Sequence, residues 1–423
     1  MIFKIFSLGC KVNSYECAAL SSLLRNEGFQ EDDSSTPDVV IINTCSVTST
    51  ADQKSRQHIR KFQRLYPEAI IVVMGCYAQG NKDFILEDIK PTILVGTSHR
   101  HEIPNLIKQY QKDHKKIVLV DENPRQFAYE EFGLTSYCEN TRAYLKIEDG
   151  CNNFCTYCII PYRRGKLRSR KPENVLAEAV YLVGQGYQEI ILSGIHVGGY
   201  GQDLGNITFS QLVEQLLDIP HLSSLRISSI EESEIDDHLI NLLKERPNLA
   251  KHLHIPLQSG SPTVLKRMAR RYNNEEFLAK INKIKEAIPQ LALTTDVIVG
   301  FPTETEKEFM ETYEFIKRCG FHLLHVFPFS PREGTPAAKM SDQVSPHVKT
   351  QRVKQLIDLS NELWEEYTSQ FIGHKVTVLV ERYQNGFNIG HTTNYIEVKV
   401  PSVEGKVGKH LNVILRKRMI LSK

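Results

Sequence analysis

Apolar positions in the first 120 residues switch between two periods. Residues 3–8, 38–42 and 69–74 are short runs dominated by apolar side chains. Such runs read as parallel strands buried on both faces, where polar alternation has no place. Residues 14–26 and 51–65 carry the helical period instead. Thr50 with Gln53 predicts a capping box at the start of the second helix. This alternation predicts a doubly wound α/β domain over residues 1–120. Residues 121–140 read as a connection.

The alternation then restarts. Residues 143–147, 189–193, 224–228, 251–254, 293–299 and 323–327 are strand candidates, separated by helical stretches such as 172–185, which opens on a proline. Six βα units predict an open, partial TIM-type (β/α)6 barrel over 141–370. A long amphipathic helix over 346–371 is expected to pack back on it. From 373 the pattern changes again. Residues 375–381, 395–400 and 411–418 alternate as short strands between glycine-rich turns, which predicts a small antiparallel OB-like β-barrel over 371–423.

Composition narrows the function classes. A chain of 423 residues with 41% hydrophobic content fits two or three packed domains. No apolar run approaches the ~18 residues of a membrane span, so no membrane partner is expected. The first residues read as a strand, too short in apolar length for a signal peptide. Nine cysteines, an odd number, favour metal ligation in a reducing, cytoplasmic compartment over disulfides. The net charge of +2 is small, but residues 371–423 hold nine basic against three acidic residues. That local excess suggests a polyanionic partner.

The chemistry concentrates in Cys151, Cys155 and Cys158, spaced C-x-x-x-C-x-x-C. Three thiolates on one tight loop suit a soft metal or an iron–sulfur cluster. A closed zinc site needs a fourth ligand, which the next seven residues do not offer. A cubane held by three thiolates leaves one iron free. A second set follows from topology. Cys10, Cys45 and Cys76 each follow one of the first three strands. Parallel strands joined by right-handed crossovers end on one edge, so these thiols should converge. A bland alternative is a small hydrophobe at each strand end. Cys17, Cys138 and Cys319 read as buried thiols of that kind.

Taken with Gly-Cys-Lys-Val-Asn (9–13), Asn-Thr-Cys-Ser-Val-Thr (43–48), Gly-Cys-Tyr-Ala-Gln (75–79), the run 150–170, Ile-Pro-Leu-Gln-Ser-Gly-Ser (255–261), Thr-Asp-Val-Ile-Val-Gly-Phe-Pro-Thr-Glu (295–304) and Phe-Ser-Pro-Arg-Glu-Gly-Thr-Pro-Ala-Ala (329–338), the chain resembles the radical S-adenosylmethionine (SAM) methylthiotransferases over nearly its whole length. The resemblance implies an N-terminal methylthiotransferase domain, a radical SAM domain and a C-terminal TRAM domain. It implies two [4Fe-4S] clusters: a radical SAM cluster on Cys151, Cys155 and Cys158, and an auxiliary cluster on Cys10, Cys45 and Cys76. It also implies two SAM molecules per turnover, one to methylate a sulfur and one to generate the radical, with an electron donor of unknown identity. Short strings such as Lys-Val-Asn after Cys10 look most like the branch that acts on threonylcarbamoyladenosine in the tRNA anticodon stem-loop. Sister branches act on isopentenyladenosine in tRNA and on a ribosomal-protein aspartate. A rival of another class is a non-catalytic metal-cluster RNA-binding protein. Two departures stand out: the tail is short, and Cys17 falls inside the first helix.

Ser193, Gly194 and Gln258 are expected SAM contacts, with Glu231 and Glu232 toward the ribose hydroxyls. Arg163, Arg164, Lys166, Arg168, Arg170 and Lys171 place six cations in nine residues directly after the cluster loop. The first five are expected to contact RNA phosphates, with Lys417 and Arg418 in the tail. Cations of the second helix read as a solvated face, and Phe387 and Tyr395 as core of the small barrel.

Overall fold

The computed structural model describes residues 1–137 and 141–421. Cys138 lies outside the described residues. The N-terminal elements are β1 (Ile2–Ser7), α1 (Lys11–Asn26), β2 (Gln30–Glu31), β3 (Val39–Thr44), α2 (Ser49–Leu65), β4 (Ile70–Gly75), α3 (Cys76–Gly80), α4 (Lys82–Phe84), β5 (Ile93–Val95), α5 (Ile103–Asp113) and β6 (Ile117–Leu119). The six strands form one sheet in the order β2-β1-β3-β4-β5-β6, parallel at every pairing. Alternate residues of β3 and β4 feed two cores. Val39, Ile41 and Val72 pack with Leu20 and Leu24 of α1 and Ile107 of α5. Val40, Ile42 and Val73 pack with Ile59 and Phe62 of α2. Helices on both faces make the sheet doubly wound, as the apolar runs predict.

The capping box expected at Thr50 is not there. Thr48 is the N-cap: its backbone is extended and its Oγ accepts from the Ala51 N–H at 3.1 Å. Thr50 already lies inside α2 and so cannot cap it.

The central strands are β7 (Arg142–Lys146), β10 (Glu189–Ser193), β11 (Ser224–Ile227), β12 (His252–His254), β13 (Ala292–Val299) and β14 (Leu323–Pro328). A small antiparallel pair, β8 (Glu148–Asp149) and β9 (Arg168–Ser169), brackets the cysteine loop. Parallel bridges Leu225↔Leu249 and Ser229↔His254 join the two three-stranded sheets, so the strands run β7-β10-β11-β12-β13-β14 in one curved, open wall. Helices α6 (Ile160–Arg164), α7 (Pro172–Gly184), α8 (Phe209–Leu217), α9 (Asp237–Glu245), α10 (Pro262–Arg267), α11 (Asn274–Ala287) and α12 (Glu306–Cys319) connect the strands. Helix α13 (Pro346–Ser369) packs back: Leu356 and Leu359 join the barrel core, and Ser360 Oγ accepts from the Leu324 N–H at 2.9 Å.

The tail is a four-stranded antiparallel sheet of β15 (Lys375–Gln384), β16 (Phe387–Thr392), β17 (Glu397–Pro401) and β18 (His410–Ile414), in the order β17-β16-β15-β18. Val398 also bridges Ile420, curling the chain end back toward the other edge. The last strand stops at Ile414, and residues 417–419 form a 3-10 turn, short of the expected 418. Trp364 and Tyr367 of α13 enter the tail's core, fusing it to the barrel. The tail docks against the strands' N-terminal ends. Arg142 pairs with Glu381 at 2.8 Å, Arg226 reaches the Thr392 and Thr393 carbonyls at 3.4 Å, and Tyr395 stacks on His252. The opposite, carboxyl-terminal ends are left to the cysteines. Among the described residues no helix is long and apolar enough to cross a membrane.

Candidate active site

Strands β1, β3 and β4 are neighbours in the sheet, and each delivers one cysteine at its carboxyl end. Cys10 is the N-cap of α1, Cys45 follows β3, and Cys76 opens α3. Close approach shows at Gly9, whose φ is +99°. A Cβ there would stand 2.5 Å from both Cβ and Sγ of Cys45. Cys10 Sγ reaches Asn13 Oδ1 at 3.7 Å, and the Arg164 Nε–H donates to Cys76 Sγ at 3.2 Å. Burial pushes the Cys45 thiol up to about 11, with the neighbouring Cys76 and Cys10 sulfurs adding to the rise. Burial also raises Cys76, against the pull of Arg164. Cys17 turns into the helix–sheet core beside Leu20, and Cys319 into the barrel core.

Across from this edge lies the 151–158 loop. Its compactness comes from a left-handed Phe154, φ +49°, a Cys158 N–H bond to the Cys155 carbonyl at 2.9 Å, and an Asn153 N–H bond to Cys151 Sγ at 3.4 Å. Arg270 stands 3.7 Å from Cys155 Sγ and grips Glu231. Burial, then the charges of Cys155 and Cys151, push Cys158 up to about 12. As bare thiols, Cys45 and Cys158 hold their protons at neutral pH. A soft metal that displaces the proton is what turns such sulfurs into ligands. No group of three His, Cys, Asp or Glu among the described residues is arranged around a single ion. Three thiols in each set are soft donors of the kind that hold an iron–sulfur cluster.

Two cavities flank the loop. One, of about 250 Å³, has Cys158, Gln258, Asp296 and Phe329 on the barrel side and Val47 and Thr48, just past Cys45, on the other. The second, of about 220 Å³, is lined by Asn153, Cys155, His196, Glu231, Glu232 and Arg270. A larger cleft of about 550 Å³ lies between the barrel base and the tail and holds no cysteine. The Cys45 loop is latched to the barrel mouth by a buried ion pair. Arg332 meets Asp52 at 2.6 Å and Ser46 at 3.0 Å, and Ser49 and Ser330 share a hydroxyl contact at 2.9 Å.

Of the expected SAM contacts, Gln258 lines the first cavity in a left-handed conformation, φ +64°. Glu231 and Glu232 line the second. Burial, then Glu231, push the Glu232 carboxyl up to about 7. Ser193 is buried with its hydroxyl unpartnered, and Gly194 abuts Glu148, whose Oε1 would lie 2.0 Å from any added Cβ. The expected RNA cations need correction. Arg164, Arg168 and Arg170 are buried. Arg164 bonds Glu16 at 2.7 Å, Arg168 bonds the Arg164 carbonyl at 2.6 Å, and Arg170 pairs with Glu131 and Glu178. Carboxylates and a backbone carbonyl inside the fold claim these cations, so they are unavailable to phosphates. Arg163 is half-buried against Gly80, while Lys166 and Arg418 are exposed and Lys417 pairs on the surface with Glu365.

The sequence reading missed His196, Arg270, Asp296 and Arg332, which lie after or within barrel strands where ligands are expected. It also missed Lys11. This side chain is open to water yet ringed by protein, within electrostatic reach of Arg226, Arg142, Glu189 and Asp296 on four barrel strands. Burial, then the two arginines, lower its pKa. Its place directly after Cys10 was the available signal.

Residues 145–316 match the radical SAM superfamily, and residues 3–96 match the uncharacterized protein family UPF0004. The threonylcarbamoyladenosine tRNA methylthiotransferase MtaB of Bacillus subtilis is 47% identical, covering 97% of this chain and 93% of that protein. Its namesake in Aquifex aeolicus is 36% identical, covering 97% and 98%. The tRNA-2-methylthio-N(6)-dimethylallyladenosine synthase of Aquifex aeolicus is also 36% identical, covering 96% and 94%. In fold, the radical SAM methyltransferase TsrM of Kitasatospora setae superposes with a TM-score of 0.61 at 14% identity, covering 80% of this chain and 76% of that one. The chain belongs to the radical SAM tRNA methylthiotransferases, a family whose chemistry uses SAM and a [4Fe-4S] cluster.

Proposed function

We propose that the enzyme transfers a methylthio group to C2 of N6-threonylcarbamoyladenosine, 3′ of the anticodon in tRNA, using two [4Fe-4S] clusters. One sits on Cys151, Cys155 and Cys158; the auxiliary one sits on Cys10, Cys45 and Cys76. In this reading residues 1–120 carry the auxiliary site, 121–140 connect, 141–370 carry the radical site, and 371–423 are a TRAM unit that grips RNA. The observation that carries it is the cavity with Cys158 on one wall and the loop after Cys45 on the other. A base held there lies between the radical-site loop and the loop that follows Cys45.

When bound, the clusters and two SAM molecules supply a hydrogen-abstracting radical and a methylated sulfur, chemistry beyond any side chain at a non-acidic adenine C2–H. The protein's own residues bind and orient. The apolar walls at Ile160, Ile298 and Phe329 suit a purine splayed from the anticodon loop and exclude water from it. The Arg332–Asp52 latch fixes the Cys45 loop against the barrel mouth. Glu231 and Glu232, with the second cavity beside Cys155, provide the SAM seat.

Lys11 supports this substrate over the dimethylallyl one. It is a cation at the N-terminus of α1, where the helix dipole disfavours positive charge, and no acidic residue occupies that first turn. Burial, Arg226 and Arg142 lower its pKa and outweigh the attraction of Glu189 and Asp296. The threonylcarbamoyl group brings a carboxylate, whereas the dimethylallyl group is apolar. Mass spectrometry of tRNA nucleosides from a deletion strain tests the proposal. Loss of 2-methylthio-threonylcarbamoyladenosine is expected; its persistence, or loss of the dimethylallyl derivative instead, would overturn the substrate.

A further inference from the structure

The buried cations between the two cysteine sets form one cluster. Glu16 of α1 meets Arg100 at 2.5 Å, Arg164 at 2.7 Å and Lys146 at 2.9 Å. Asp149, two residues before Cys151, meets Lys146 at 2.6 Å, Arg164 at 3.1 Å and Arg168 at 3.7 Å. Glu130 takes the far side of Arg100 at 2.7 Å. Four cations (Arg100, Lys146, Arg164, Arg168) thus face three carboxylates (Glu16, Glu130, Asp149), while burial pushes the neighbouring Glu148 carboxyl up to about 8 and keeps it neutral. Every one of these side chains is about nine-tenths buried or more. A buried excess of one positive charge is costly unless an anion offsets it.

Arg164 shows where that anion belongs. Its Nη1 holds Glu16 and Asp149, and its Nη2 donates to Asn13 Oδ1 at 3.0 Å. Its Nε–H, the remaining edge of the guanidinium, points at Cys76 Sγ from 3.2 Å. Asn13 also receives the Cys10 thiol. The backbone of Arg164 ends α6, which starts two residues after Cys158. One side chain therefore runs from the radical-site loop to the sulfur of the other set.

We propose that Arg164 is a positioning residue for the metal group on Cys10, Cys45 and Cys76, and that its hydrogen bond to the Cys76 sulfur raises that group's reduction potential. The inference rests on the auxiliary-cluster reading given above. A donor on a ligating sulfur withdraws electron density and stabilises the reduced, more negative state. The surrounding cation excess acts in the same direction, and burial strengthens both effects.

The test uses the full-length chain with Cys151, Cys155 and Cys158 all replaced by alanine, reconstituted anaerobically with iron and sulfide. Its one-electron midpoint is followed by EPR during dithionite titration. Arg164→Met is compared with Lys146→Met, which removes a cation from the same cluster without touching sulfur, and with Arg164→Lys, which keeps the charge should Met not fold. The expected result is undiminished iron and a midpoint shifted to lower potential in Arg164→Met. The shift is smaller in Arg164→Lys and smaller again in Lys146→Met. Equal shifts in Arg164→Met and Lys146→Met, no shift at all, or loss of iron from both folded Arg164 variants would overturn the proposal. Absence of iron from the parent triple variant would instead overturn the auxiliary-cluster reading itself.

Discussion

Replacing Glu16 with glutamine keeps the side chain's shape and removes one negative charge from three buried cations. Glu16 is fully buried, and Arg100, Arg164 and Lys146 lie 2.5, 2.7 and 2.9 Å from its Oε1. Breaking a buried pair from one side leaves uncompensated charge and costs about 3–5 kcal/mol. At about 2–4 °C per kcal/mol for a unit of 150–250 residues, the transition reporting the N-terminal sheet should fall by roughly 10 °C. Glu27, the C-cap of the same helix, gives the contrast. It pairs with Lys108 at 2.7 Å, but the two side chains are 45% and 43% exposed. An exposed pair of that kind is worth under about 1 kcal/mol, so Glu27→Gln should barely move the transition. The pH dependence follows from the same contacts. Burial works against ionisation of Glu16, but the three cations outweigh it and hold the carboxyl well below its usual 4.5. A depressed carboxylate contributes stability above that value and loses it as pH falls toward the folded pKa. The gap between wild type and Glu16→Gln should therefore stay constant from pH 8 to about 5 and narrow below. Scanning calorimetry of the apo proteins reads both effects. Equal losses in the two variants, or a Glu16→Gln loss no larger than an exposed pair's, would refute the argument that burial decides the magnitude.

Gly9→Ala places a Cβ 2.5 Å from Cys45 at a left-handed φ, so iron per reconstituted chain should fall from about eight to about four; eight would contradict the convergence at Gly9. His322 is half-buried against Tyr367 and accepts from the Leu293 N–H, and burial, then Lys285, push its pKa down to about 4. The unfolded chain binds that proton first, so about 3 kcal/mol of stability is lost as pH falls from about 6.5 to 4. His322→Asn should flatten that slope in acid melts, and an unchanged slope would place the titration elsewhere. Arg226→Met removes a buried partner of Glu189 and the bonds to the Thr392 and Thr393 carbonyls, so limited proteolysis near residue 373 should accelerate while both clusters remain. Unchanged cleavage would mean the tail docks through α13 alone.

Most of the architecture was legible because buried parallel strands leave an unbroken apolar signature. All nine strands anticipated in the first sheet and the barrel are present at nearly the expected positions. The convergence of Cys10, Cys45 and Cys76 followed from chain topology, which requires no side-chain detail. Strand β16 was missed because Asn388, Gly390 and His391 interrupt its pattern, and only pairing to β15 and β17 supports it. The tail's seat on the barrel base was invisible, since Arg142, Arg226 and Tyr395 find partners far away in sequence. The run 163–170 misled for the same reason. A string of cations looks solvated until Glu16, Asp149, Glu131 and Glu178 arrive from other elements.

The most direct test of the account removes only the auxiliary thiols. A Cys10→Ala, Cys45→Ala, Cys76→Ala chain, reconstituted anaerobically and given SAM, reductant and threonylcarbamoyladenosine-bearing tRNA, should still cleave SAM to 5′-deoxyadenosine while forming no methylthio nucleoside. Methylthio product from that variant, or loss of SAM cleavage with the fold and the other cluster intact, would contradict the proposed division of labour between the two cysteine sets.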